Sequence, residues 1–311
     1  MSLTYPEAVV VGALQGVSEL FPVSSLGHAV LVPALVGERW AADLDFSAPE
    51  SPYLAFIVGL HVATALALLV FYRRDWVRIV GGLLGSLPTR RADTPDARLG
   101  WLLVVATIPV GVTGLLLEHL FRTTLGRPVP AAAFLVVNGI VLLAGERLRR
   151  RERRPTPAVL VAAGGTNRDA DAAGARRSDD PDAGLTGLAL KDALVIGASQ
   201  SLALLPGISR SGVSMVAGLV RGLSHEDAAR FSFLLATPVI LAAGVLKLPD
   251  LVGPLGNGVR GPVLAGSAAA FVAALVAVRW LTRWFETRTL MPFAIYCLVA
   301  GGVSLAVLTL R

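Results

Sequence analysis

Cysteine is all but missing from this 311-residue chain: Cys297 stands alone, so no disulfide can staple the fold from within. Charge is scarce too. Asp, Glu, Lys and Arg make up 16% of the residues, against roughly 25% in soluble globular domains. With 54% hydrophobic residues and a mean hydropathy of +0.66, this scarcity excludes a largely disordered chain and argues against a compact soluble enzyme. Aromatic residues are few, at 6%, and do not interleave with basic ones as a single-strand nucleic-acid surface requires. The net charge of +6 is therefore not read as a nucleic-acid signal, and no nucleic acid is expected as a partner. Walker, dinucleotide-binding and HExxH patterns and Cys-rich metal spacings are also missing. No Lys or Arg precedes the first apolar run, so no cleavable signal peptide is expected.

What is present is apolar sequence in long runs. Six of them, at about 53–72, 101–119, 131–146, 231–247, 261–280 and 290–310, approach the 20 or so residues that a helix needs to span a bilayer. Two further apolar stretches are interrupted. Residues 7–37 are broken by FPVSSLGH and residues 187–220 by LPGISRSG. Proline ends one helix and starts the next, and each half is too short to cross a core of about 30 Å. Both stretches are read as re-entrant helix hairpins, whose irregular backbone is tolerated at membrane depth only inside protein or beside a wet cavity.

The two breaks resemble each other. GALQGVSELFPVSS begins at Gly12 and GASQSLALLPGIS at Gly197, and aligning their prolines costs one gap. Each is followed by three apolar runs. An odd number of spans turns the second copy upside down, the pattern of inverted-repeat transporters. The expected fold is thus an all-α integral membrane protein with six spanning helices and two re-entrant hairpins. Its divisions are a first repeat at 1–150, a polar cytoplasmic linker at 151–186 and a second repeat at 187–311. Most of the 28 Lys and Arg residues then fall on one side, in 73–98, 147–191, the turn with Arg221 and Arg230, and the loop with Arg279, Arg283 and Arg288. By the positive-inside rule that side is cytoplasmic, and the first hairpin enters from outside.

Polar residues at membrane depth are functional candidates. Gln15 and Glu19, four residues apart, share a helix face, and Glu19 is a candidate base or metal ligand. Ser24 is a candidate N-cap after Pro22. Ser25 and His28 would face the same way and form a hydroxyl–imidazole pair. In the second hairpin Arg210, with Ser209, Ser211 and Ser214, follows Pro206 and Gly207 at the expected start of a half-helix. A helix N-terminus, a guanidinium and hydroxyls make an anion site that suits phosphate. His61 is weaker, since a lone histidine is more often a packing residue.

These residues resemble a known family, the undecaprenyl-pyrophosphate phosphatases or bacitracin-resistance membrane phosphatases. QGVSELFPVSSLGH, Gln15 to His28, is similar to its first motif, Glu/Gln-x-x-x-Glu followed by Pro-Val-Ser-Ser-x-Gly-His. PGISRSGVS, Pro206 to Ser214, is similar to its second, with Ser214 in place of the usual Thr. FSFLLATP (231–238) and FAIY (293–296) also look like the family. The resemblance implies hydrolysis of undecaprenyl pyrophosphate to undecaprenyl phosphate, which recycles the cell-wall lipid carrier. It implies Glu19, Ser25, His28 and Arg210 as catalytic residues, and Gln15, Ser24, Gly207, Ser209, Ser211 and Ser214 as substrate-binding ones. Gln15 stands where many members have Glu, which weakens a two-carboxylate metal site. A divalent cation, Mg²⁺ or Ca²⁺, is carried as the candidate cofactor, arriving on the substrate or held by Glu19. The expected partners are the polyprenyl pyrophosphate lipid and the bilayer. The expected location is the inner (plasma) membrane, with the cleft opening to the extracytoplasmic side. The sequence fixes no oligomeric state; a homodimer is the candidate assembly. The rival from another class is a flippase that moves a phosphate-bearing lipid without chemistry.

Overall fold

The computed structural model describes residues 3–37, 52–89, 91–125, 127–152, 183–252 and 259–310. All the regular structure among them is helical. Residues 38–51 and most of the expected 151–186 linker lie outside the described residues.

Helix α1 (Tyr5–Ser18) starts on a capping box, in which Thr4 and Glu7 satisfy each other's backbone N–H groups. It stops at Glu19, short of Pro22. After a turn, α2 (Ser25–Val36) starts on the Ser24 cap. The second broken stretch repeats the design. Helix α8 (Leu190–Ser199) runs into a 3-10 turn (Gln200–Leu204), and α9 (Arg210–Val220) starts on the Ser209 cap. Neither α2 nor α9 is long enough to cross a membrane.

The long helices are α3 (Pro52–Phe71), α5 (Pro95–Leu125), α6 (Pro128–Glu152), α10 (His225–Val252), α11 (Arg260–Thr287) and α12 (Met291–Leu310). A four-residue helix, α7 (Ala183–Thr186), precedes the second hairpin. Five of the long helices hold an uninterrupted stretch long and apolar enough to span; the sixth span counts only as a bent pair. That pair is α3 with α4 (Arg73–Thr89), turned through 85°. Residues 73–98 were expected as a loop because of their arginines. The structure corrects this: Val77, Val80, Leu84 and Leu87 form an exposed apolar stripe on α4 while Ile79 is buried, the pattern of a helix lying along a membrane surface.

Small residues set the closest packing, as expected between membrane helices. A Cβ on Gly12 would strike the Gly266 backbone of α11, and one on Gly16 the Ala270 backbone. On the other side, a Cβ on Gly197 of α8 would strike the Ala106 backbone of α5. Thus α1 lies along α11 and α8 along α5, while α6 packs on α12 and α3 on α10. The arginine-rich ends gather at one end of the bundle. Asp75 of α4 pairs with Arg230 of α10 at 2.6 Å. Glu146 of α6 accepts from His225 of α10 at 2.6 Å and from the Leu290 N–H before α12 at 2.7 Å.

Candidate active site

The tips of the two hairpins meet. The Ser24 hydroxyl oxygen accepts the N–H of Gly27, capping α2, and also the N–H of Gly207 in the other hairpin at 3.2 Å. Ser24 has φ +69°, a region that residues with a Cβ seldom occupy. Gly207, at φ +110° and pressed against α6, is where the second hairpin needs glycine. From α6, Asn138 ties both breaks together: its amide donates to the Pro22 carbonyl at 3.0 Å and its oxygen accepts the Ser209 N–H at 2.9 Å. Asn138 is fully buried.

Glu19 sits at the centre of this junction. One carboxylate oxygen, Oε1, pairs with the Arg210 guanidinium. The other, Oε2, accepts from the Ser25 hydroxyl and from the Gln15 amide at 2.9 Å. His61 Nε2, from α3, lies 3.2 Å from the same oxygen. Gln15, Glu19, Ser25 and Arg210 are therefore brought together as expected, and His61, which a packing role had been favoured for, joins them.

All of these but Gln15 line one end of a cavity of about 430 Å³. Its polar end holds Glu19, Ser24, Ser25, His61, Gln200, Ser209 and Arg210. Two helix N-termini, of α2 and α9, reach it, each with a positive dipole end and free N–H groups. The rest, Thr107 apart, is apolar and runs between α5 and α10 past Val110, Gly111, Gly114, Leu115, Val239 and Leu246. A Cβ on Gly111 or Gly114 would meet open space, so these glycines widen the channel. It leads away from the arginine-rich end, along the C-terminal halves of α5 and α10.

Three expectations are corrected in their geometry. His28 does not make a pair with Ser25. Its Nδ1–H donates to the Ser24 carbonyl at 2.7 Å, which leaves Nε2 to meet the Tyr296 hydroxyl of α12 at 2.7 Å. The ring stacks on Tyr296 and is not among the residues that line the cavity. Ser211 is turned inward, bonding Ser209 Oγ at 3.0 Å and the Phe21 carbonyl at 3.3 Å. Ser214 donates back to the Arg210 carbonyl and meets Ser232 at 2.7 Å. Both serines hold α9 in place rather than face the cavity.

The donor set does not fit a protein-held divalent cation. Among the described residues Glu19 is the one carboxylate lining the cavity, both its oxygens are engaged, and Arg210 already balances its charge. No group of three or more His, Cys, Asp or Glu residues placed to hold a metal occurs among the described residues.

Asn138, Gln200 and Tyr296 were not singled out from the sequence as site residues. Asn138 had a signal: it is the lone side-chain amide within the six uninterrupted apolar runs. Gln200 had one as well, as the partner of Gln15 in the repeated Gly-Ala-x-Gln. Tyr296 had only its place in FAIY.

Comparison with known proteins agrees with this geometry. The family model described as bacitracin resistance protein BacA matches residues 8–303. The chain is 67% identical to the undecaprenyl-diphosphatase of Mycolicibacterium paratuberculosis, over 99% of both chains. It is 54% identical to undecaprenyl-diphosphatase 1 of Frankia casuarinae, over 97% of both. It is 41% identical to undecaprenyl-diphosphatase 2 of Chromobacterium violaceum, over 96% of this chain and 97% of that one. A multi-pass helical membrane protein whose two hairpins join a carboxylate, a serine and an arginine, this chain belongs to the bacitracin resistance protein BacA family.

Proposed function

We propose that the chain is an undecaprenyl-diphosphatase, which hydrolyses undecaprenyl pyrophosphate to undecaprenyl phosphate and inorganic phosphate. The observation that carries this reading is the cavity itself. A hydroxyl bonded to a carboxylate and a guanidinium between two helix N-termini stand at one end, and an apolar channel of prenyl character leads off the other. A pure lipid carrier needs the clamp and the channel, but has no use for a serine on a carboxylate.

Phosphoryl transfer asks chiefly for positioning and for neutralised charge. The diphosphate sits against Arg210 and the first N–H groups of α9, and the tail lies past Gly111 and Gly114. Ser25 Oγ attacks the terminal phosphorus as its proton passes to Glu19 Oε2. Glu19 passes that proton to the bridging oxygen as its bond to the phosphorus breaks, and undecaprenyl phosphate leaves. Water then attacks the phosphoserine, giving up a proton to Glu19. Inorganic phosphate departs and the Ser25 hydroxyl is restored. His61, next to Glu19 Oε2, is the imidazole available for these proton movements. His28 instead acts as a positioning residue, holding the Ser24 carbonyl just before the nucleophile. A divalent cation belongs to this reading only as a companion of the substrate's phosphates.

The chain is read as two inverted repeats. The matching packings of α1 on α11 and α8 on α5 support this, as do the matching caps Ser24 and Ser209. Aligned on those caps the two hairpins need no gap: Gly12, Gln15, Ser24 and Gly27 fall opposite Gly197, Gln200, Ser209 and Gly212. We place the arginine-rich end in the cytoplasm of the inner membrane, which opens the cavity to the extracytoplasmic side. The test of the activity is phosphate release from undecaprenyl pyrophosphate by the detergent-purified protein, with the lipid product identified as the monophosphate. A protein that takes up the lipid and returns it unchanged overturns the reading in favour of transport.

A further inference from the structure

The amide nitrogen of Gln200 is a buried donor with no partner. The side chain is 1% exposed, yet it lines the same cavity as Glu19, Ser25 and Arg210. Leaving such a donor unpaired costs about 1–3 kcal/mol in a folded protein, so a free one at the polar end of a cavity points to a ligand that supplies the acceptor.

Its counterpart in the first hairpin shows why it is free. Gln15 has the same place after Gly-Ala-x, and its Nε2 donates to Glu19 Oε2, four residues on, at 2.9 Å. Four residues after Gln200 stands Leu204, which offers no acceptor. The two hairpins have therefore divided the work. The first carries the carboxylate and hydroxyl, with its glutamine occupied by the carboxylate. The second carries the guanidinium and a glutamine whose N–H is left over. At the cavity's polar end the second hairpin thus brings the Gln200 amide N–H and the Arg210 guanidinium, both hydrogen-bond donors, which is what an anion requires.

Resting on the phosphatase reading, we propose that Gln200 is a substrate-binding residue whose side-chain amide donates to a non-bridging phosphate oxygen of the lipid pyrophosphate. A donor to a non-bridging oxygen takes no part in moving the reacting proton, so it serves the ground state and the transition state alike. Its loss shows mainly in KM.

The test is Gln200→Met, which keeps the side chain's length and removes the donor, beside Gln200→Glu, which keeps its shape and sets a carboxylate against the phosphates. Steady-state phosphate release from undecaprenyl pyrophosphate and thermal unfolding in detergent are measured on both. For Gln200→Met the expected result is a KM raised about 10- to 100-fold, the range for a hydrogen bond to a charged group, with kcat changed little. Its unfolding temperature should be unchanged or higher, because an orphaned donor has been removed. Gln200→Glu should lose more of kcat/KM than Gln200→Met. An unchanged KM in Gln200→Met overturns the proposal, and so does a lowered unfolding temperature with unchanged KM, the mark of a packing role. If Gln200→Met does not fold, KM in Gln200→Glu decides: a wild-type value there overturns the proposal. A wild type that releases no phosphate overturns the functional reading, and this assignment with it.

Discussion

Ser25 donates its hydroxyl hydrogen to Glu19 Oε2 across the break between α1 and α2. The bond joins the first residue of one half-helix to the cap of the other, so the chain's fold and its chemistry depend on the same turn. A serine held on a carboxylate is poised to lose its proton in that direction. Ser25→Ala should therefore lower kcat by more than about 100-fold with KM within a few-fold. Rapid quenching of the wild type with substrate labelled in the terminal phosphate should trap label on protein, and Ser25→Ala should trap none. Activity that survives in Ser25→Ala points to water as the nucleophile.

The two histidines of the region should separate. His61 lies 3.2 Å from Glu19 Oε2, whereas His28 spans Ser24 and Tyr296. We expect His61→Ala to lower kcat at least about 100-fold and to remove a limb of the pH–rate profile. His28→Ala should lower thermal stability, because the Ser24 carbonyl and the Tyr296 hydroxyl lose their buried partner, and should leave the shape of the profile intact. Identical profiles for His61→Ala and wild type contradict the assignment.

How much of this was legible in the residues differs from group to group. Glu19, Ser25 and Arg210 could be read because each is polar in an apolar stretch beside a proline. The hairpins could be read because proline and glycine interrupt runs too short to span. His61 could not be ranked: its importance comes from α3 packing on α10 near the hairpin tips, a contact distant in sequence. The facing of His28 was misread because spacing fixes which side chains share a helix face, and does not fix what that face meets. Helix α4 was missed for a related reason. Its arginines were weighed as loop charges, when its apolar residues recur at helical spacing and need only half the surroundings to be lipid.

Gln15 tests the metal reading. Its Nε2 donates to Glu19 Oε2, a contact that a second carboxylate could not make. In Gln15→Glu two carboxylates would face each other about 3 Å apart, and both can ionise only with a cation between them. The variant should depend more steeply on Mg²⁺ or Ca²⁺ than the wild type in a titration of phosphate release against cation. Equal dependence in the two proteins contradicts the view that Gln15 stands in for a metal ligand's place.

The channel past Gly111 and Gly114 should govern chain length. Neither glycine has a neighbour where a Cβ would go, so the side chain of Gly114→Phe starts into open space and is expected to narrow the channel. It should lower kcat/KM for the C55 lipid at least about 10-fold relative to its own value for farnesyl pyrophosphate, since each buried CH₂ of tail is worth about 0.8 kcal/mol. A parallel change for both lipids, measured side by side, places the tail elsewhere.

The central claim is that Arg210 clamps the phosphates for a reaction and not for carriage alone. The most direct measurement is phosphate release from undecaprenyl pyrophosphate by wild type, Arg210→Ala and Arg210→Lys in the same detergent. Arg210→Ala also leaves Glu19 without its counter-charge, so the fold of each variant is checked by its unfolding temperature. The account predicts release by the wild type, a loss of well over 100-fold in Arg210→Ala, and a partial loss in Arg210→Lys, which keeps the charge without the forked donors. Wild-type rates in a folded Arg210→Ala, or no release by the wild type at all, would contradict it.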